Sequence, residues 1–170
     1  MSVRPLQRMA YIALGSNLGD ARKNVLRAIE RLQNLSDRPL QKSSLWKSTP
    51  VDCPPESPEF INAVVALVPR ANETPESLLE KLQTLEKEFG RTPKKVPNEP
   101  RPLDLDLIAF GDDQRTTPEL TLPHPRAHQR RFVLQPLAEI ATDFIFPGQE
   151  KTVAHLLHEL PPDDSVRKLS

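Results

Sequence analysis

Two aspartates separated by one leucine, Asp104 and Asp106 in Leu103-Asp-Leu-Asp-Leu-Ile-Ala-Phe110, are the residues of this chain best placed by type and spacing to do chemistry. In a β-strand, positions i and i+2 share a face with Cα atoms about 6.6–6.8 Å apart. Leu103, Leu105 and Leu107 would then point to the other, core side. Aspartate is a poor strand former, and two carboxylates on one face repel unless a cation lies between them. Such a pair suits two Mg²⁺ ions about 3.5–4 Å apart, a geometry that grips a polyphosphate. The same alternation also fits the solvent-facing polar edge of an amphipathic strand, so its context has to decide.

Basic segments flank the pair on both sides. Before it, the stretch Arg91–Arg101 carries Arg91, Lys94, Lys95 and Arg101 against Glu99; after it, Arg126, Arg130 and Arg131 lie close to His124 and His128. Guanidinium forks match phosphate oxygens, and although each segment alone reads as a solvated charged face, their joint placement suits a metal–polyphosphate. Asn62 stands in an otherwise apolar strand, where a buried amide needs partners; a flat heteroaromatic ligand with donor and acceptor edges would supply them, as would neighbouring backbone. Gln83 and Glu86 share one side of a helix, which is also what a routine helix surface shows. His155 and His158 have helical spacing but no third ligand and read as structural, and Cys53 has no partner for nucleophilic catalysis. The chain has neither a G-x-x-x-x-G-K-[ST] nor a G-x-G-x-x-G run, which argues against a P-loop or dinucleotide fold.

The elements that must position these residues follow from periodicity. Met9–Leu14 is a short apolar strand closed by Gly15-Ser16-Asn17, and Gly15–Gly19 reads as a strand-to-helix turn. Asp20 offers an N-cap for a helix to about Gln33 with Val25, Leu26, Ile29 and Leu32 on one face. Leu40–Ser48 and Glu59–Val68 are strands, the second β-branched and closed by Pro69. Thr74-Pro75 starts a helix striped by Leu78, Leu79, Leu82, Leu85 and Phe89 and ended by Gly90. Leu103–Phe110 is the diacid strand; Ala127–Ile140 is helical in part, interrupted at Pro136; Val153–Leu160 is a last short helix. The order β-α-β-β-α-β predicts an α+β, ferredoxin-like sandwich, a mainly antiparallel sheet with helices packed on its faces.

Composition bounds the rest. A length of 170 residues fits one domain spanning 1–170, with short tails at 1–8 and 161–170. Nineteen prolines are about twice the usual share. Eleven of them fall in Pro50–Pro58, Pro93–Pro102 and Pro118–Pro125, so these are loops, and a coiled coil or helical repeat is excluded. Twenty-three basic against 23 acidic residues argue against nucleic acid or an anionic membrane as the main partner. One cysteine excludes an internal disulfide and fits a reducing compartment. With no signal-peptide core and no apolar run near a membrane span, a cytoplasmic protein is expected.

Taken together, Tyr11-Ile-Ala-Leu-Gly-Ser-Asn-Leu18, Phe60-Ile-Asn-Ala63, Pro100-Arg-Pro-Leu-Asp-Leu-Asp-Leu107 and Leu122-Pro-His124 followed by Arg130-Arg-Phe-Val-Leu-Gln-Pro-Leu137 resemble the 6-hydroxymethyl-7,8-dihydropterin pyrophosphokinases (HPPK) of folate biosynthesis. The resemblance runs in order from about Met9 to Leu160. It implies a monomer that moves a pyrophosphoryl group from ATP to the hydroxymethyl group of the dihydropterin and releases AMP. Asp104 and Asp106 would hold two Mg²⁺ ions. Catalytic positions would be Arg91, Arg101, Asp104, Asp106 and His124. ATP would be bound by Gln83, Glu86, Arg91, Arg101, Leu107, Thr121, His124 and Arg130. The pterin would meet Ser48, Thr49, Val51, Phe60, Asn62 and Phe132, lying between the two phenylalanine rings. Two proline clusters would coincide with the loops that close over the substrates.

The chain departs from the family pattern at four places. Asn98 stands where many members carry a loop Trp, and Pro93 where a second loop Arg is common. Pro125 replaces a Tyr after the histidine, and Phe60 replaces another Tyr. Competing readings are a Mg²⁺-dependent nucleotidyltransferase, which would release pyrophosphate, an RNA-binding module, which 5% aromatics and zero net charge disfavour, and an inactive homologue, which the intact diacid disfavours.

Overall fold

The computed structural model describes residues 8–49, 58–90 and 100–169. The apolar run opening the chain forms β1 (Ala10–Ser16), followed by helix α1 (Ala21–Gln33), which the Asp20 carboxylate caps by accepting the Lys23 N–H at 3.1 Å. Thr74 and Ser77 exchange side-chain and backbone hydrogen bonds of 2.9 and 3.0 Å to start α2 (Pro75–Glu88), with Pro75 at the first position, where its missing N–H is harmless. Gly90 follows α2 at φ +95°, the left-handed conformation expected just past a helix end.

Five strands form the main sheet in the order β5 (Asp104–Phe110), β1, β4 (Phe60–Leu67), β3 (Trp46–Ser48), β8 (Val166–Lys168), and short β2 (Gln41–Lys42) also pairs with β4; every pairing is antiparallel. Alternation gives the sheet two buried faces. Ile12, Leu14, Ala63, Val65, Leu105 and Leu107 pack beneath α1 and α2, whereas Tyr11, Val64, Ala66 and Ile108 pack beneath α3 (Arg131–Ile140) and α4 (Val153–Glu159). The expected α+β sandwich with helices on both faces is what the chain builds. In β5 the register slips, Tyr11 pairing with Ala109 and Ile12 with Leu107, so Ile108 is an extra residue. Alternation alone keeps Asp104 and Asp106 on the face opposite the leucines, and the bulge beyond them returns Phe110 to the α1/α2 core.

Four expectations need correction. Leu40–Ser48 is not one strand: Ser43 Oγ accepts the Val64 N–H at 2.9 Å where a main-chain carbonyl would, and the ladder breaks between β2 and β3. Pro136 does not interrupt its helix; α3 runs through it, losing one hydrogen bond while Val133, Leu134, Pro136 and Leu137 bury against the sheet. Ahead of α3, Ala127–Gln129 is a separate 3₁₀ turn. The stretch 161–170 is not simply a tail, since β8 extends the sheet edge, with Leu169 N–H bonding Leu45 O at 2.9 Å. The proline-rich stretch 118–125 contains one strand of a small hairpin, β6 (Arg115–Thr116) with β7 (Thr121–Leu122), and a cis Leu122–Pro123 bond. Among the described residues no helix is long and apolar enough to cross a membrane.

Candidate active site

α3 and α4 cover only part of their face of the sheet, and the uncovered part is a cleft of about 460 Å³, within the usual range for small-ligand sites. Its floor is a row across three strands: Asn62 on β4 pairs with Gly15 on β1, which pairs with Asp104 on β5. One step along, Ala13 pairs with Asp106. The two central residues are therefore the smallest available, and depth in the cleft comes from them. A Cβ built on Gly15 would reach 3.5 Å from both Asn62 Oδ1 and the Phe60 ring, at ordinary contact and inside the cleft.

One side of this floor is acidic. Asp104 and Asp106 both line the cleft, each partly buried, as the alternation predicts. Arg101 Nη1 lies 3.2 Å from Asp104 Oδ2, and the Arg101 guanidinium sits 5.7 Å from the centre of the Phe60 ring. On the far wall, the start of α3 and the 3₁₀ turn before it contribute Arg126, Gln129, Arg130, Arg131 and Phe132, and the Arg130 guanidinium stacks over Phe132 at 5.5 Å. Arg101, Arg126, Arg130 and Arg131 thus share one opening with Asp104, Asp106 and Asp163, a polarity suited to a polyanion that brings its own cations.

The rest of the lining includes uncharged side chains around a buried amide. Asn62, 5% exposed, donates its amide to Ser48 Oγ at 2.6 Å. Phe60 and Phe132 line the cleft with this amide, and Thr49 is held by its N–H to Ser165 O at 3.1 Å. Ser48, Thr49, Phe60, Asn62 and Phe132 are therefore gathered as expected. Arg101, Asp104, Asp106 and Arg130 are gathered with them.

Five expected residues lie outside the cleft lining. Leu107 is buried in the α1/α2 core on the opposite face of β5, and Gln83 is exposed on α2. Thr121 is exposed on β7. Glu86, 9% exposed, uses Oε2 to accept the Leu105 N–H at 2.8 Å, so it meets β5 between the two aspartates from the outer edge. His124 is anchored by its N–H to Ile108 O at 2.9 Å, and its Nδ1 accepts the Arg126 N–H at 3.2 Å, which leaves the ring proton on Nε2. Burial, then the positive charges of Arg130 and Arg126, push the His124 pKa down to about 4, with Asp104 opposing. At neutral pH this imidazole is an uncharged donor. Arg91 and Val51 lie outside the described residues, as do Pro93, Asn98 and Cys53.

The residue reading missed Asp163, Ser165 and Val166, which line the cleft from the stretch taken as a tail. The signals are present but short: the Asp163 carboxylate accepts the Ser165 N–H at 2.8 Å, and Val166 and Leu169 bracket the basic pair Arg167-Lys168. Among the described residues no cluster of three or more His, Cys, Asp or Glu side chains could hold a metal. Two carboxylates alone are a partial shell of hard oxygens, and that donor set fits Mg²⁺ that is completed by substrate phosphates and water.

Residues 11–142 match the family model for 7,8-dihydro-6-hydroxymethylpterin-pyrophosphokinase (HPPK). The chain is 38% identical over 151 residues to a 2-amino-4-hydroxy-6-hydroxymethyldihydropteridine pyrophosphokinase of Synechocystis sp., covering 89% of this chain and 75% of that protein. It is 39% identical to the protein of the same name from Pseudomonas aeruginosa, over 84% of this chain and 85% of the relative. It also matches the folic acid synthesis protein fol1 of Pneumocystis carinii at 37% identity, but spans only 20% of that longer chain. Among solved structures, Plasmodium falciparum HPPK-DHPS with pteroate superposes with a TM-score of 0.70 at 13% identity, over 94% of this chain and 43% of that one, a likeness of fold.

Proposed function

This chain belongs to the 7,8-dihydro-6-hydroxymethylpterin pyrophosphokinase family, and from that premise we propose that it is a folate-biosynthetic diphosphotransferase acting on ATP and 6-hydroxymethyl-7,8-dihydropterin. The hydroxymethyl oxygen attacks the β-phosphorus of ATP and gives up its proton to water, the bond from that phosphorus to the α,β-bridging oxygen breaks, and AMP leaves with that oxygen. The observation that carries this reading is one cleft that joins an acidic, arginine-lined part to a part with two phenylalanines and a buried amide.

Beside the buried amide, Phe60 and Phe132 would hold a planar pterin by its faces while Asn62 and Ser48 read its edge. A site built around a buried amide discriminates by hydrogen-bond pattern, because a ligand lacking the right edge leaves that amide unpaired. In the arginine-lined part, Arg101 and Arg130 would neutralise phosphate oxygens, and neutral His124 would donate from Nε2. Asp104 and Asp106 would hold two Mg²⁺ ions, which when bound supply charge neutralisation across the phosphate chain. Phosphoryl-type transfer demands positioning and electrostatics more than covalent help, and the residues gathered here offer both.

Incubation with ATP, Mg²⁺ and 6-hydroxymethyl-7,8-dihydropterin should release AMP in step with pterin consumption. Pyrophosphate as the product would instead mark a nucleotidyltransferase, and no AMP above a pterin-free control would overturn the assignment.

A further inference from the structure

We propose that Asn17, in the turn leaving β1, is a positioning residue that ties the two parts of the cleft together. It is 2% exposed and lines no part of the cleft. Its main-chain N–H donates to Arg101 O at 3.1 Å, and its side-chain Oδ1 accepts the Arg101 N–H at 2.9 Å. Its Nδ2 donates to Pro58 O at 3.2 Å, two residues before Phe60. One amide therefore holds the segment entering β5, which carries Arg101 and Asp104, and the segment entering β4, which carries Phe60 and Asn62.

The arrangement follows from proline chemistry. Pro100 and Pro102 have no N–H, so the Arg101 N–H is the main-chain donor available in that segment. Beyond the Gly15–Asp104 pair, β1 turns away into α1, and the Asn17 side-chain carbonyl stands in for the main-chain acceptor that the ladder no longer provides. Asn24 on α1 completes the anchor by donating from Nδ2 to Pro102 O at 3.2 Å. With its backbone fixed at this point, Arg101 reaches Asp104 on one side and stacks toward Phe60 on the other. Which ligand each wall serves rests on the proposed function; the anchor itself does not.

Aspartate at this position keeps an acceptor for Arg101 but has no donor for Pro58, whereas alanine loses both. Titration calorimetry with 6-hydroxymethyl-7,8-dihydropterin, and separately with Mg²⁺ and α,β-methylene-ATP, should therefore split the variants. Asn17→Asp should raise the pterin dissociation constant about tenfold and leave the nucleotide constant within about twofold; Asn17→Ala should weaken both. In the unsubstituted protein the Arg101 amide should exchange with solvent as slowly as the Leu105 amide. Equal effects of Asn17→Asp on both ligands, or wild-type affinities in both variants, would overturn the proposal. If neither variant unfolds cooperatively the Arg101 amide decides, and exchange as fast as an exposed turn rejects the anchor. If the unsubstituted protein binds neither ligand, the proposed function fails while the amide measurement still judges Asn17.

Discussion

Asp104 and Asp106 show how much a pair of residues can announce. Their alternation with Leu103, Leu105 and Leu107 predicts both carboxylates on one face, and the structure sets both in the cleft with the leucines in the core. Asn62 was legible for the same reason, as a lone amide in an apolar strand. Replacing Asp106 by Ala should lower turnover by several orders of magnitude and shift the Mg²⁺ dependence to higher concentration while leaving pterin affinity close to normal. Near-normal turnover at low Mg²⁺ would show that this carboxylate does not hold a metal. The proton state of His124 was not legible, because it depends on burial and on where Arg126 and Arg130 come to lie. Nor was the role of Glu86, whose partner Leu105 lies nineteen residues away.

At the scale of elements, the capped helices and long strands were readable because each carries its own period and punctuation. Elements that exist only through a partner were not. Strand β8 has three residues, and its pattern gains meaning from pairing with Trp46, Lys47 and Ser48. The break between β2 and β3 depends on one hydroxyl replacing a carbonyl, and α3 survives Pro136 because the sheet supplies what the lost bond removed. The neighbourhood of β8 also reaches the site, since Ser165 O holds Thr49 and Val166 lines the cleft. A variant lacking residues 162–170 should melt on the order of 5–10 °C lower and bind the dihydropterin more weakly while binding Mg²⁺–ATP nearly as before. Unchanged pterin affinity in that variant would remove the C-terminal wall from the site.

For the whole molecule, the depressed His124 pKa makes a statement about stability. The folded protein resists protonating this ring until about pH 4, whereas an unfolded histidine takes its proton near 6.5. Between those values the unfolded state binds more protons, so stability rises with pH through that window and gains nothing further from this group above it. Urea midpoints at pH 5 and pH 7 should differ more for the unsubstituted protein than for His124→Asn, which keeps an acceptor beside Arg126. Equal differences would mean that His124 titrates normally.

An open sheet must also keep from joining other sheets. Among the described residues its row of strands ends at β5 and β8, and unpaired strand edges are templates for association. β8 is short and carries Arg167 and Lys168, which discourage a neighbour. β5 is seven residues long, flat in composition and rich in leucine, the more dangerous of the two. Glu86 occupies the Leu105 donor and the His124 N–H occupies Ile108 O, so an incoming strand would have to displace a buried carboxylate and a main-chain bond. The contact that meets β5 between the two aspartates thus also makes this edge a poor template for a further strand.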